Sequence, residues 1–213
     1  MSISFNPAGF KNEAFEDIQH ICRNVPDDLI LGKRITSNYE AVINNPRQSK
    51  NGQSRGQAFE IIVADAIYKS VGATPSWRGH LKCAKYNAEI DLVLDYGPIV
   101  HGIFLKTSLR ERWKQEDRDA MLFDKQWDAD LTLLREALGH PVKAFIPWAL
   151  CFKEKLDQKP IEAIAHAQRI SNAFAGFQAE SVMSVYDQTR MNGFEQAISM
   201  SGMSYKQAIS MAS

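Results

Sequence analysis

Asp91 and Lys106 are set where a carboxylate and an amine can act on the same reacting atoms. The stretch from Ala88 to Ser108 reads as two strands around a turn at Tyr96, Gly97 and Pro98, with the acid opening one strand and the lysine closing the other. Alternation puts Ile90, Leu92 and Leu94 on one face of the first strand, with Asp91 and Val93 opposite. In the second strand Ile103 and Leu105 alternate with Phe104 and Lys106. Folding the hairpin brings the Asp91 carboxylate towards the Lys106 amine. A carboxylate can bind Mg²⁺, a hard cation that takes oxygen ligands, and a nearby lysine can orient water and offset phosphate charge.

With these residues in view, the segment from roughly residue 50 to 120 resembles the PD-(D/E)xK nuclease superfamily, and within it the type II restriction endonucleases. The resemblance rests on Asp91 followed across the hairpin by Phe104, Leu105 and Lys106. The run Thr107 to Trp113 also looks like the segment after the catalytic lysine in such enzymes. It implies a restriction-endonuclease-like α/β fold, a mixed β-sheet flanked by helices. It also implies a metal held by Asp91 and the main-chain carbonyl of Leu105, with Lys106 positioning the attacking water. One position departs from the pattern: Phe104 stands where the second acid belongs, and phenylalanine cannot bind a metal.

The missing acid can be sought on a helix. In Gly56 to Ser70, apolar residues at 59, 62, 63, 66 and 67 follow the spacing of an amphipathic helix. At about 100° per residue Glu60 falls about 20° from Ile67, at the edge of the buried stripe, whereas Asp65 points away. Related nucleases carry a metal-linked Glu on a helix before the sheet, so Glu60 is the candidate third catalytic residue and metal ligand. Glu89, two residues before Asp91, and Glu111, beyond Lys106, are the competing acids, each with an ordinary surface role as its alternative.

Lys plus Arg and Asp plus Glu both total 25, which argues against a binder driven by phosphate charge alone but not against a sequence-specific enzyme. Local DNA-binding candidates are Arg47, Lys50, Asn51 and Arg55 in a polar loop, Arg78 in the run Trp77 to His80, which is accompanied by Lys82 and Lys85, and Arg110 and Arg112 after the hairpin. No apolar run approaches the roughly 20 residues needed to cross a bilayer, and the first residues lack a basic-then-hydrophobic signal pattern, so a cytoplasmic location is expected. Cys22, Cys83 and Cys151 are too scattered for a disulfide framework or a zinc site. The five histidines form no metal-binding spacing, and His101 is assigned a core or edge role.

A single domain over residues 1–213 is expected, divided into a helical part (1–45), a catalytic core (50–190) and a C-terminal tail (191–213). Asn12 reads as the cap of a helix over Glu13 to Cys22, and a second apolar pattern runs from Ile35 to Ile43. After the hairpin come a charged helix from about Glu111 to Leu138, a strand over Val142 to Phe152 interrupted or edged by Pro147, a helix from Pro160 to about Phe174, and a last strand over Ser181 to Tyr186. The repeat of Gln196 to Ser201 in Gln207 to Ala212 reads as chance similarity, or as a face for a second subunit.

These readings converge on a Mg²⁺-dependent type II restriction endonuclease acting on double-stranded DNA, with a homodimer to cut both strands and a DNA methyltransferase as its functional partner. The alternatives are a repair or recombination nuclease of the same superfamily and a catalytically inactive DNA-binding protein.

Overall fold

The structure, a computed structural model, describes residue 6 and residues 9–46, 52–107, 118–120, 123, 131–152, 181–200 and 203–213. It is an α/β arrangement in which a five-stranded mixed sheet carries helices on both faces. Among the described residues no helix is long and apolar enough to cross a membrane.

Three helices come first: α1 (Asn12–Cys22), α2 (Leu31–Ile43) and α3 (Gly52–Val71). In α1, Phe15 and Ile18 form the buried stripe; Lys11, not Asn12, holds the cap position and makes no side-chain cap bond. In α2 the buried row of Leu31, Ile35, Tyr39 and Val42 recurs at helical spacing, so the helix starts a turn before the Ile35 read from sequence. Every residue from Ile61 to Ile67 on α3 is buried, which makes it a central helix covered on several sides. Asp65, expected to point away from the core, is therefore buried too: Gln19 of α1 donates to it at 3.0 Å and Lys69 pairs with it at 3.3 Å.

The sheet order is β1 (Ser76–Cys83), β2 (Ala88–Asp95), β3 (Ile99–Lys106), β4 (Ala144–Cys151) and β5 (Val182–Ser184). The first three strands are antiparallel, and β3–β4 and β4–β5 are parallel. The turn between β2 and β3 is the one read from sequence: Tyr96 N–H donates to the Ile99 carbonyl at 3.0 Å, and Gly97 sits at φ 83°. A side chain is strained at that angle, and the Asp95 carboxylate accepts the Gly97 N–H at 2.8 Å. Strand β4 runs through Pro147 unbroken. Its pairing with β5 covers Ala149 to Cys151, so among the described strands Pro147 has a neighbour on the β3 side and needs no N–H for a second.

Strand β1 is the element the sequence reading missed: the run Trp77 to His80, with Lys82 and Lys85, is named there only for its DNA-binding candidates. It is the edge strand, with exposure alternating from residue to residue. Its Trp77 packs on the helical core, while Leu81 and Cys83 pack on the other face.

Two cores result. The larger lies between the sheet and α1, α2, α3 and two C-terminal helices, α5 (Gln188–Ser199) and α6 (Tyr205–Ala212). The smaller lies on the opposite face, under α4 (Thr132–Leu138) together with Ala120 and Phe123. Of the long charged helix read over 111–138, the part described as an element is α4; Pro160 to Phe174 lies outside the described residues.

The segment read as a C-terminal tail is instead part of the larger core. Phe194, Ala197, Ile198, Ala208 and Ile209 are buried there, so both copies of the repeat face into this chain's own core. Asp187 caps α5 by accepting the Arg190 N–H, and Ser204 and Gln207 form a capping box on α6. The two helices touch at Gly193, where an added Cβ would stand 1.9 Å from the Met211 carbonyl oxygen.

Gly56 on α3 has nothing within 4 Å of the same position. Replacing a mid-helix glycine by alanine normally adds roughly 0.5–1 kcal/mol by restricting the unfolded chain. Gly56→Ala is therefore expected to raise the unfolding midpoint and Gly193→Ala to lower it. Thermal melts of the two variants check this; a rise in both would mean that α5 and α6 do not close against each other.

His101 supplies a second test of the larger core. It is fully buried, its Nδ1 accepts the Trp148 indole N–H at 3.0 Å, and its Nε2 finds no partner among the described residues. Burial drives its pKa down to about 4 from the ordinary 6.5. The folded protein thus binds this proton less readily than the unfolded chain. The stability from neutral His101 is complete above pH 6.5 and falls by roughly 3 kcal/mol as pH drops to about 4. Denaturant titrations from about pH 7.5 to 4 should show that loss in the parent relative to His101→Gln; parallel curves would contradict it.

Candidate active site

The site forms where the β1–β2 ladder breaks. Partners run from Ser76↔Asp95 to Gly79↔Leu92 and resume at Leu81↔Ile90, leaving His80 and Asp91 as the unpaired rung. His80 has φ 50°, a region a non-glycine side chain enters at a cost on the order of 1 kcal/mol. Both strands turn over at this rung. Ala88 and Ile90 pack in the smaller core while Leu92 and Leu94 pack in the larger, so Ile90 does not share the face expected from simple alternation.

Beyond the same rung β2 leaves β3, whose pairing with it covers Leu92 to Asp95. Two carboxylates take over backbone donors there. Asp91 Oδ2 accepts the Leu105 N–H at 2.6 Å, and Asp119 Oδ2 accepts the Glu89 N–H at 3.3 Å. Asp119, buried and held by the Arg118 guanidinium at 2.9–3.1 Å, was not anticipated from sequence; its neighbours in the chain carry no motif that singles it out.

Asp91 lies among the other predicted residues. Burial pushes its carboxyl up to about 6. The Lys106 charge and the Leu105 N–H act in the opposite direction, Glu60 raises it further by repulsion, and His80 lowers it. The hairpin and α3 therefore bring Asp91, Lys106 and Glu60 within electrostatic reach of one another.

The residue that sequence reasoning did not place here is His80. Its Nδ1 lies 2.6 Å from Glu89 and its Nε2 3.4 Å from Glu60, with the Phe10 ring edge-on at 6.1 Å between centroids. Glu60 contributes most to holding this imidazole up at about 9, although the Glu89 contact is the shorter and better-formed bond. Lys82 stands 3.5 Å from Glu89 on the solvent side. Glu89 thus belongs to the same cluster, tied to His80 rather than solvated alone. Edge strand β1 was the signal for His80, because Arg78, His80 and Lys82 alternate with half-buried Trp77, Gly79 and Leu81.

Phe104, at the position of the absent second acid, is 1% exposed in the smaller core with Phe123 and Leu134. A glutamate placed there would enter an apolar core rather than crowd the carboxylates around Asp91. Asp91 and Glu60 are close enough to repel each other, and two carboxylates are oxygen donors of the kind a hard divalent cation takes. Among the described residues no group of three or more His, Cys, Asp or Glu stands ready to hold a metal. A closed zinc cage takes four protein ligands, whereas Mg²⁺ takes one or two carboxylates with water and phosphate oxygens.

Two of the DNA-binding candidates, Arg55 and Arg78, lie among the described residues. Arg55 is exposed on α3, five residues before Glu60 and about 7.5 Å of helical rise from it. Arg78 donates to the Leu138 carbonyl at 3.4 Å at the end of α4. Arg47, Lys50, Asn51, Arg110, Arg112 and Glu111 lie outside the described residues. Cys22, Cys83 and Cys151 are not joined in disulfides, and burial pushes the Cys22 thiol up to about 12.

Comparison of the chain with protein-family models, curated proteins and solved structures finds no match.

The raised Asp91 pKa means that the ionised carboxylate is held at a cost. The parent loses this stability as pH rises from 3.8 through about 6, and an asparagine at this position carries no charge to lose it. Asp91→Asn should therefore be more stable than the parent at about pH 7.5, by up to about 3 kcal/mol, with the difference vanishing below about pH 4. Urea unfolding at both pH values tests this. A variant less stable than the parent at the higher pH would make Asp91 a structural tie to Leu105 above all.

Proposed function

We propose that this chain is a Mg²⁺-dependent endonuclease with a restriction-endonuclease-like fold, cutting double-stranded DNA at a short specific sequence. The observation that carries the reading is the convergence of Asp91, Lys106 and Glu60, drawn from two strands and a helix, on one strained rung of the sheet. The mixed sheet, with its antiparallel hairpin continued by parallel strands, is compatible with that architecture.

Asp91 and Glu60 would hold the ion, with the Leu105 carbonyl as a further donor. When bound, the ion supplies Lewis-acid polarisation of the phosphoryl oxygens and lowers the pKa of a coordinated water. Lys106, whose charge acts on Asp91, would hold the attacking water and offset the negative charge that builds on the phosphorane. Attack in line with the leaving oxygen breaks the P–O3′ bond and leaves a 5′-phosphate and a 3′-hydroxyl. Two copies would serve the two strands of a palindromic site, and a methyltransferase of the same specificity would protect host DNA.

Phe104 supports a second reading, a DNA-binding protein that does not cut, because its aromatic ring fills the place of an acid. Incubating purified protein with unmethylated phage DNA separates the two. The nuclease yields discrete fragments with Mg²⁺ and none with chelator, and a pure binding protein retards DNA without cutting it. A repair or recombination enzyme would cut at structures or lesions rather than into discrete bands. Lys106→Ala is expected to reduce cleavage at least about a hundredfold with DNA retention unchanged. Cleavage by Lys106→Ala at the parent rate would remove the lysine from the reaction.

A further inference from the structure

We infer that His80 is a positioning residue of this site, clamping Glu60 of α3 against β2 so that its carboxylate stays beside Asp91; the inference rests on the nuclease reading above. Glu60 and Glu89 come from different layers of the molecule, and the His80 ring spans them, at 3.4 Å from one and 2.6 Å from the other. Nδ1 is anchored on Glu89, whose own main-chain N–H is fixed by the buried Asp119, so the ring is referenced to the sheet rather than to solvent. Phe10 closes one side of the ring. Nε2 then meets Glu60 on the side of α3 next to Asp91.

The backbone supports the assignment. His80 adopts φ 50° on the rung where the β1–β2 pairing lapses opposite Asp91. A regular strand would keep that rung paired, and glycine or asparagine would accept the angle with less strain than most residues. A histidine held in a sparsely populated conformation beside the reacting groups is the pattern of a site that requires its side chain.

The same feature makes the test clean, because His80→Gly removes the ring while suiting the backbone, and His80→Asn keeps a polar group on a backbone it tolerates. The variants and Glu89→Gln, which removes the charge at the far end of the clamp, are compared with the parent in two ways. The first is Mn²⁺ affinity of the DNA-free protein by calorimetry. The second is the ¹³C resonance of the Glu60 carboxyl in metal-free protein.

The expected result for His80→Gly is a single cooperative melt below the parent's midpoint, because the pairs with Glu60 and Glu89 are lost, together with a displaced Glu60 resonance and a roughly 10- to 100-fold weaker Mn²⁺ affinity, the range typical of losing a group that orients a metal ligand. His80→Asn and Glu89→Gln should fall between it and the parent. In cleavage assays kcat should drop while KM for DNA holds. Unchanged or tighter Mn²⁺ binding by His80→Gly overturns the inference, making the ring a bystander or a competitor of the cation. If the parent itself binds no Mn²⁺, the nuclease reading fails, and the Glu60 resonance judges the clamp by itself: displacement in His80→Gly sustains it and an unmoved signal removes it.

Discussion

The lapsed rung between His80 and Asp91 is the constraint on which the rest of this molecule depends. A strand that keeps one face inward needs strict alternation, and both β1 and β2 abandon it at the same step, exchanging faces without changing the number of residues between their pairs. The exchange puts Leu81, Cys83, Ala88 and Ile90 against the smaller core and Trp77, Leu92 and Leu94 against the larger one, where strict alternation would keep the residues of each strand on one face. It also leaves backbone donors without ladder partners, and buried donors must be satisfied. Asp91 takes the Leu105 N–H and Asp119 takes that of Glu89. A carboxylate that does such backbone work cannot be moved far, which gives the site its fixed point.

Around that point the packing concentrates charge in a place where charge is expensive. Helix α3 is buried along Ile61 to Ile67, so Glu60, one residue earlier, stands at the boundary between core and solvent and faces another carboxylate. Lys106 and His80 supply compensating positive charge from a strand end and a strand middle. Gly102 leaves the space that the Phe145 ring of β4 fills, 2.4 Å from where a Cβ would stand. The balance of acids and bases is thus local, in a chain whose formal net charge is zero.

Much of this was legible from local chemistry. Gly97 and Pro98 announce a turn, and the alternating runs on each side announce its strands, so the Asp91–Lys106 approach could be read directly. The spacing of Phe59, Ile62, Val63, Ala66 and Ile67 placed Glu60 at the margin of a buried stripe. Strand β1 was obscured because its polar residues, Arg78, His80 and Lys82, look like a solvated loop when no partner strand is in view. Asp65 was misplaced because a helix projection knows one buried face, whereas α1 covers a second. The C-terminal repeat looked like a tail because its helices are short and acquire stability from each other and from the larger core.

By itself the sequence determined what nearest neighbours along the chain can decide: the hairpin and its turn, the helical stripes, the residue types available for chemistry and the absence of an acid at Phe104. Tertiary structure decided which of those residues meet. Face exchange at His80 and Asp91, the tie from His80 to both Glu60 and Glu89, the burial of Phe104 in a second core and the capture of the Glu89 N–H by Asp119 all join residues far apart in the chain. Periodicity specifies which side of an element is apolar, but the partner that covers that side, and the unpaired backbone group left when a ladder stops, exist only once the layers have closed.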